Sequence, residues 1–205
     1  MNISYGFIPG ANCSENVLQE CSKLFSAHYG QWSASSGKTG NVSLSPKSIK
    51  RYLLKPDTSL YYANDNGNII GYAIAFRRMI EEYGYISWVT QLVVHKDYRH
   101  IGIATNLLLS IWQMSDDYAW GIVTSNPYAV RALETATRRE SIPVIISKNL
   151  DAVMLAAENT TYIYKDIEKK INAVCSQLNT NFMVSHDHIE ERLRNVTQGG
   201  KKWRL

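Results

Sequence analysis

Cysteine is scarce in this chain: Cys13, Cys21 and Cys175 are the only three in 205 residues. Their odd number and lack of C-x-x-C spacing argue against a disulfide framework and against a cysteine zinc site. Cys13 and Cys21 lie eight apart, so they could share a helix face, but no partner ligands accompany them. They read as free, partly buried thiols in a reducing cytoplasm. Long apolar runs are also missing, and none approaches the ~20 residues a membrane helix needs. Met1-Asn2-Ile3-Ser4-Tyr5 has neither a basic region nor an apolar one, so no signal peptide is expected. The Asn-x-Ser/Thr matches at Asn41 and Asn159 then carry no glycosylation meaning. Repeats and low-complexity segments are lacking. So is a strong charge of one sign: 22 Lys and Arg against 18 Asp and Glu leave +4. That mild excess, with a pI of about 8.9, suits an anionic cofactor and by itself does not imply nucleic acid.

What the chain does have is core material, with hydrophobic residues at 45%. Its length suits one domain with an extension, or at most two small domains. Ile3 to Ile8 reads as a first strand, ended by Pro9-Gly10. Ser14 to His28 carries Val17, Leu18, Cys21, Leu24 and Phe25 at a helical period. Gly30 to Ser45 is a Ser- and Gly-rich loop. Ser45-Pro46 caps and opens a helix to Leu54. Ser59 to Ala63 and Asn68 to Arg77 are strands joined by the turn signal Asn64-Asp65-Asn66-Gly67. Glu81-Glu82-Tyr83-Gly84 marks a second turn before a strand from Tyr85 to Val94. A helix over Ile103 to Ser115, a strand over Tyr118 to Thr124 and a helix opened by Asn126 and Pro127 follow. Beyond Ser141 the reading gives strands at Ile142 to Ile146 and Tyr162 to Tyr164, with a helix over Leu150 to Ala157 between them. Lys165 to Leu178 reads as an amphipathic helix, and His186 to Arg194 as another.

Arg99-His100-Ile101-Gly102-Ile103-Ala104 lies where strand gives way to helix. Free backbone N–H groups at a helix N-terminus suit phosphate oxygens. Gly102 has no Cβ and lets a ligand come close, and Arg99 adds a charge able to form paired hydrogen bonds with phosphate.

With its flanks, Gln91 to Ala104 resembles motif A of the GCN5-related N-acetyltransferases (GNAT), whose loop reads Q/R-x-x-G-x-G/A. Arg99, Gly102 and Ala104 fit it. So do the hydrophobic strand, Asp97-Tyr98 and the Leu-rich helix. The resemblance is firm over Ile69 to Arg138 and poor after Ser141. It implies the GNAT α/β fold: a mixed, mainly antiparallel sheet flanked by helices, with two central strands splayed below the loop. A domain over 1–165 and a partly helical extension over 166–205 are expected. The implied reaction is transfer of an acetyl group from acetyl-CoA to a primary amine of a small molecule or protein. A non-catalytic acyl-CoA-binding or protein-interaction module on the same fold is the alternative.

By that resemblance the N–H groups of His100, Ile101, Gly102, Ile103, Ala104 and Thr105 hold the pyrophosphate, beside Arg99. The main chain of Leu92, Val93 and Val94 pairs with the pantetheine arm, and Asn126 lies near the thiol end. The family's proton-donating tyrosine position holds Leu133, and a glutamate used as base by some members corresponds to Gly121. Tyr128 and Glu134 are the nearest ionisable residues on the same helix, and Tyr128, closer to the end that would face the thiol, is the candidate acid. The cosubstrate is acetyl-CoA and no metal is implied. The expected partners are acetyl-CoA and an amine acceptor. Neither membrane nor nucleic acid is expected, and a homodimer stays open.

Two other motifs are set aside. Ser36-Gly37-Lys38-Thr39 ends like a phosphate-binding P-loop, but Trp32 stands where that loop needs glycine. His186-Asp187-His188 has no further cluster to complete a metal site and reads as a solvated face. Arg99 is expected to supply charge rather than fold. Lys201-Lys202-Trp203-Arg204 reads as a loose tail.

Overall fold

The computed structural model describes residues 2–55, 57–158, 168–180 and 182–187, with Ile189 and the short pairs 197–198 and 201–202. Five strands form one sheet: β1 (Ile3–Pro9), β2 (Thr58–Asp65), β3 (Asn68–Ile80), β4 (Gly84–Val94) and β5 (Ala119–Ile122). Their spatial order follows the chain, β1-β2-β3-β4-β5. All neighbours are antiparallel except β4 and β5, which run parallel. The β2–β3 hairpin closes on Asn66-Gly67, both at positive φ (51° and 88°), the two-residue turn that matches strand twist.

Successive side chains of a strand point to opposite faces, and each face has its own cover. On one side Leu60, Tyr72, Ile74 and Val93 pack against α1 (Glu15–His28) and α2 (Pro46–Leu53) through Leu18, Cys21, Phe25, Ile49 and Leu53. On the other, Ala63, Ala73, Ala75 and Val89 meet α3 (Ile103–Trp112) and α4 (Pro127–Thr137) through Leu107, Leu108, Leu133 and Ala136. Small sheet residues on that face let α3 lie close. A third cluster joins Phe76, Ile86 and Trp88 to Ala152 and Ala156 of α6 (Leu150–Glu158).

The caps read in the sequence form: Ser14 Oγ accepts from Val17 N, Ser45 Oγ from Ser48 N, and Asn126 Oδ1 from Tyr128 N. Helix α3 ends three residues before Ser115, because Gln113 and Met114 turn left-handed (φ 51° and 56°).

Two expectations fail. Ile142 to Ile146 is not a strand. Pro143 opens a helix, α5 (Pro143–Lys148). Its fixed φ and missing N–H suit the first helical position, while a strand interior would lose a ladder bond. The expected helix over Lys165 to Leu178 is, where described, a hairpin of β6 (Glu168–Ile171) and β7 (Ser176–Asn179). Asn172 decides it: its Oδ1 accepts from Val174 N and Cys175 N, both at 2.9 Å, and folds the chain back. The strand expected at Tyr162 to Tyr164 lies outside the described residues, as do Glu190 to Arg194 of the last helix.

Candidate functional site

Strand β4 pairs with β5 only from Ile86 to Val89, opposite Ala119 to Ile122. Beyond that, Gln91 to Val94 stay paired with β3 on one side and have no strand partner on the other among the described residues. Thr90 marks the parting. It is skipped in the β3 register, and its Oγ1 bonds to Ile74 O at 3.1 Å. A bulge of this kind bends and twists its strand. Leu92 and Val94 face the α3 side and Val93 the α1 side, so main-chain groups line the gap.

The strand delivers a pinned loop. Tyr98 donates its hydroxyl to buried Asp65 at 2.9 Å, tying the loop to the β2–β3 hairpin. Arg99 Nε donates to Val94 O at 3.2 Å, and its Nη2 donates to His28 O at the end of α1. The guanidinium expected to serve charge alone therefore also binds two structural carbonyls. His100 and Gly102 take positive φ, 64° and 90°. An added Cβ on Gly102 would meet nothing closer than Asn106 Nδ2 at 3.9 Å, so glycine here serves backbone conformation and leaves an open approach. Gly102 provides no side-chain cap, and the first helical bond runs from Asn106 N to Gly102 O. The N–H groups of Ile103, Ala104 and Thr105 thus have no partner in their own helix.

The loop meets α4. The His100 ring stands edge-on to Tyr128, centroids 5.1 Å apart. Asn126 spends its Oδ1 on the Tyr128 N–H, and its own N–H donates to Thr124 Oγ1 at 3.0 Å. The structure therefore leads the unpartnered end of β4, Leu92 to Val94, into the Arg99 to Thr105 loop, and sets His100 of that loop against Tyr128, whose N–H Asn126 caps.

The profile of the acetyltransferase (GNAT) domain matches residues 31–153. The chain belongs to the GNAT acetyltransferases. No curated protein matches it in sequence. Among solved structures, it is similar to an aminoglycoside acetyltransferase from an uncultured soil metagenomic sample, in complex with sisomicin. Identity is 12% over 68% of this chain and 90% of that one, with a TM-score of 0.51. A possible acetyltransferase from Clostridium difficile 630 is 16% identical over 68% of this chain and 91% of that one, with a TM-score of 0.49.

In this GNAT chain the two departures from the family pattern have local causes. Leu133 is buried in the core beneath α4. Gly121 lies under the Trp88 ring, where a Cβ would come within 2.0 Å of indole carbons. A glutamate at 121 would have to displace the Trp88 ring, and the position of the family's tyrosine is taken by a buried core leucine.

At the far end of β4 and β5 the GNAT sheet is locked by charge. Arg77 grips buried Asp117 through Nε at 3.0 and 3.1 Å and Nη2 at 2.6 Å, and Ser87 Oγ donates to it at 2.6 Å. Burial alone would raise the Asp117 pKa. The Arg77 and Ser87 hydrogen bonds outweigh it and hold the carboxyl below the ordinary range.

His186, read in the sequence as part of a solvated face, makes an exposed long-range hydrogen bond that the sequence reading did not foresee. Its Nε2 lies 2.6 Å from Ser125 Oγ, one residue before the α4 cap. Sixty-one positions separate the two, and no local pattern could signal their meeting.

Proposed function

We propose that the chain transfers an acetyl group from acetyl-CoA to a primary amine of a small molecule or protein. One observation supports this above the others: an edge of β4 with no strand partner among the described residues leads through the Arg99 loop to the amides that open α3, which have no partner in their own helix. A pantetheine arm carries amides, so it can lie along Leu92 to Val94 as a short extra strand. The pyrophosphate then meets the N–H groups of His100 to Thr105, at the positive end of the α3 dipole. Arg99 adds charge beside them, and Asn126 borders the thiol end.

The neutral amine attacks the thioester carbonyl. A main-chain N–H of the Leu92–Val94 edge meets the oxygen as it gathers charge. The C–S bond breaks, Tyr128 gives the leaving thiolate its proton, and the proton shed by the amine returns through solvent to Tyr128. Much of the rate comes from holding the two reactants together. In this reading residues 1–165 carry the acyl-CoA fold and 166–205 are an extension to it. No described helix is long and apolar enough to cross a membrane. Burial raises the Cys13 and Cys21 thiol pKa values, which suits inert thiols in a reducing cytoplasm.

The loss of the family's tyrosine and glutamate positions favours a second reading, a module that binds acyl-CoA without turnover. Thiol release from acetyl-CoA with an amine panel separates the two. Gly102→Glu tests the site itself: it puts a carboxylate where phosphate would lie. CoA affinity, read by calorimetry on the folded variant, should weaken by about tenfold or more, roughly 1.4 kcal/mol. Unchanged affinity would remove the loop from the binding site.

A further inference from the structure

Residues 182–187, beyond the stretch that matches the family, run from the α1–α2 loop to Ser125 at the start of α4. Val184 bridges Trp32, Ser33 N donates to Met183 O at 3.0 Å, and Ser185 N donates to Gln31 O at 2.8 Å. Phe182 packs edge-on against Trp32, centroids 5.3 Å apart. This strap ends at His186, whose Nε2 lies 2.6 Å from Ser125 Oγ. Asp187 turns away, its carboxylate taking the Ser185 hydroxyl at 2.9 Å.

Ser125 lies three residues past Ile122, the last residue of β5 paired with β4. It therefore lies on the chain that continues from β5 past the parting from β4, exposed and next to Asn126. An amine approaching a thioester in the gap beyond that parting loses a proton, and the positions that carry a base in related chains cannot supply one here. Asp117 is engaged by Arg77 and Ser87, and Cys21 is buried in the core. A hydroxyl backed by an imidazole is a proton acceptor of known type.

We infer that Ser125 meets the acceptor amine and that His186, acting through Ser125, positions and polarises its hydroxyl. The inference rests on the acetyl transfer proposed above. With Nε2 unprotonated, Ser125 donates to His186. As the amine nitrogen bonds to the acetyl carbon, its proton passes to Ser125 Oγ, and the Ser125 proton passes to His186 Nε2. The C–S bond breaks, and the thiolate takes a proton from Tyr128. The proton on His186 returns through solvent to Tyr128, so the turnover balances. The strap thus brings an imidazole to Ser125 from outside the family-matched stretch, where the family's base position is Gly121.

The experiment uses the full chain, acetyl-CoA and the best amine of a panel. His186→Gln keeps a hydrogen-bonding group for Ser125 but is not a base. It should lower kcat by about 10²-fold or more, with CoA affinity within twofold of wild type. His186→Ala should fall at least as far and regain rate with added imidazole. Ser125→Ala should match them, and mass spectrometry should find no acetyl group on Ser125 during turnover. A His186→Gln variant at wild-type rate overturns the inference while acetyl transfer stands, because the strap then acts only by packing. Acetylated Ser125 also overturns it, since the hydroxyl would then be a nucleophile. A wild-type chain that releases thiol with no amine overturns both the inference and the reading beneath it. If His186→Ala fails to fold, His186→Gln carries the test alone.

Discussion

A methyl group at residue 121 would sit 2.0 Å from the Trp88 ring. Gly121→Ala should therefore destabilise the fold by about 1–3 kcal/mol, the usual cost of overpacking. Urea denaturation checks it, and Trp88→Leu should recover part of the loss in the double variant. An Ala variant as stable as wild type would mean the indole moves aside freely. Tyr128 is constrained differently. Its ring abuts His100, 5.1 Å between centroids, so aromatic packing and any hydroxyl chemistry are separable. Tyr128→Phe keeps the ring. If Tyr128 is the thiolate's proton donor, steady-state kcat falls by about 10²–10⁴-fold. A change of less than roughly threefold would leave solvent as the source, far short of that range. Sequence alone drew attention to both positions through the family pattern. It offered no reason for Gly121 or Leu133, because the cause is a neighbour across the sheet or under the helix.

Elements, in turn, are held together by side chains that join their ends. Arg99 donates to the Val94 carbonyl at the end of β4 and to the His28 carbonyl at the end of α1. The last carbonyls of a helix lack partners of their own, and a cation is favoured there. The Arg99→Ala variant should lose about 1.5–3 kcal/mol of stability, the scale for hydrogen bonds to a charged group, in addition to weaker CoA binding. Thermal melts without ligand measure the first and calorimetry the second. A melting temperature equal to wild type would return Arg99 to a purely electrostatic role. Most elements were legible where period and caps agreed, as at Ser14, Ser45-Pro46 and Asn126-Pro127. The failures came where one residue outweighed the pattern. Pro143 fits a helix start better than a strand, and the Asn172 side chain turned an amphipathic stretch into a hairpin.

Across the whole molecule, one buried carboxylate joins three strands' worth of chain. Asp117 precedes β5, Ser87 lies in β4 and Arg77 in β3. The Asp117 pKa is depressed in the fold, so the ionised form is the stabilising one. Its contribution is complete above the unfolded value of about 4. It is lost as pH falls through the lower folded value. Asp117→Asn should cost about 1.5–3 kcal/mol near neutral pH. It should also make the decline in stability below about pH 4 shallower, as read from denaturation midpoints across pH. A parallel decline in both proteins would assign the acid sensitivity to other groups.

At the same scale lies the division between sequence and structure. The chain by itself determined the strand–loop–helix at Arg99 to Thr105 and the order of elements through α4. These depend on neighbours within a few residues, where period, caps and turn chemistry act directly. Only the tertiary structure decided where β4 leaves β5, that Arg99 grips α1, and that Leu133 and Gly121 are filled by packing. It also brought His186 to Ser125. Each of these joins groups far apart in the chain, or depends on the volume a neighbour occupies. Neither is encoded in any local run of residues.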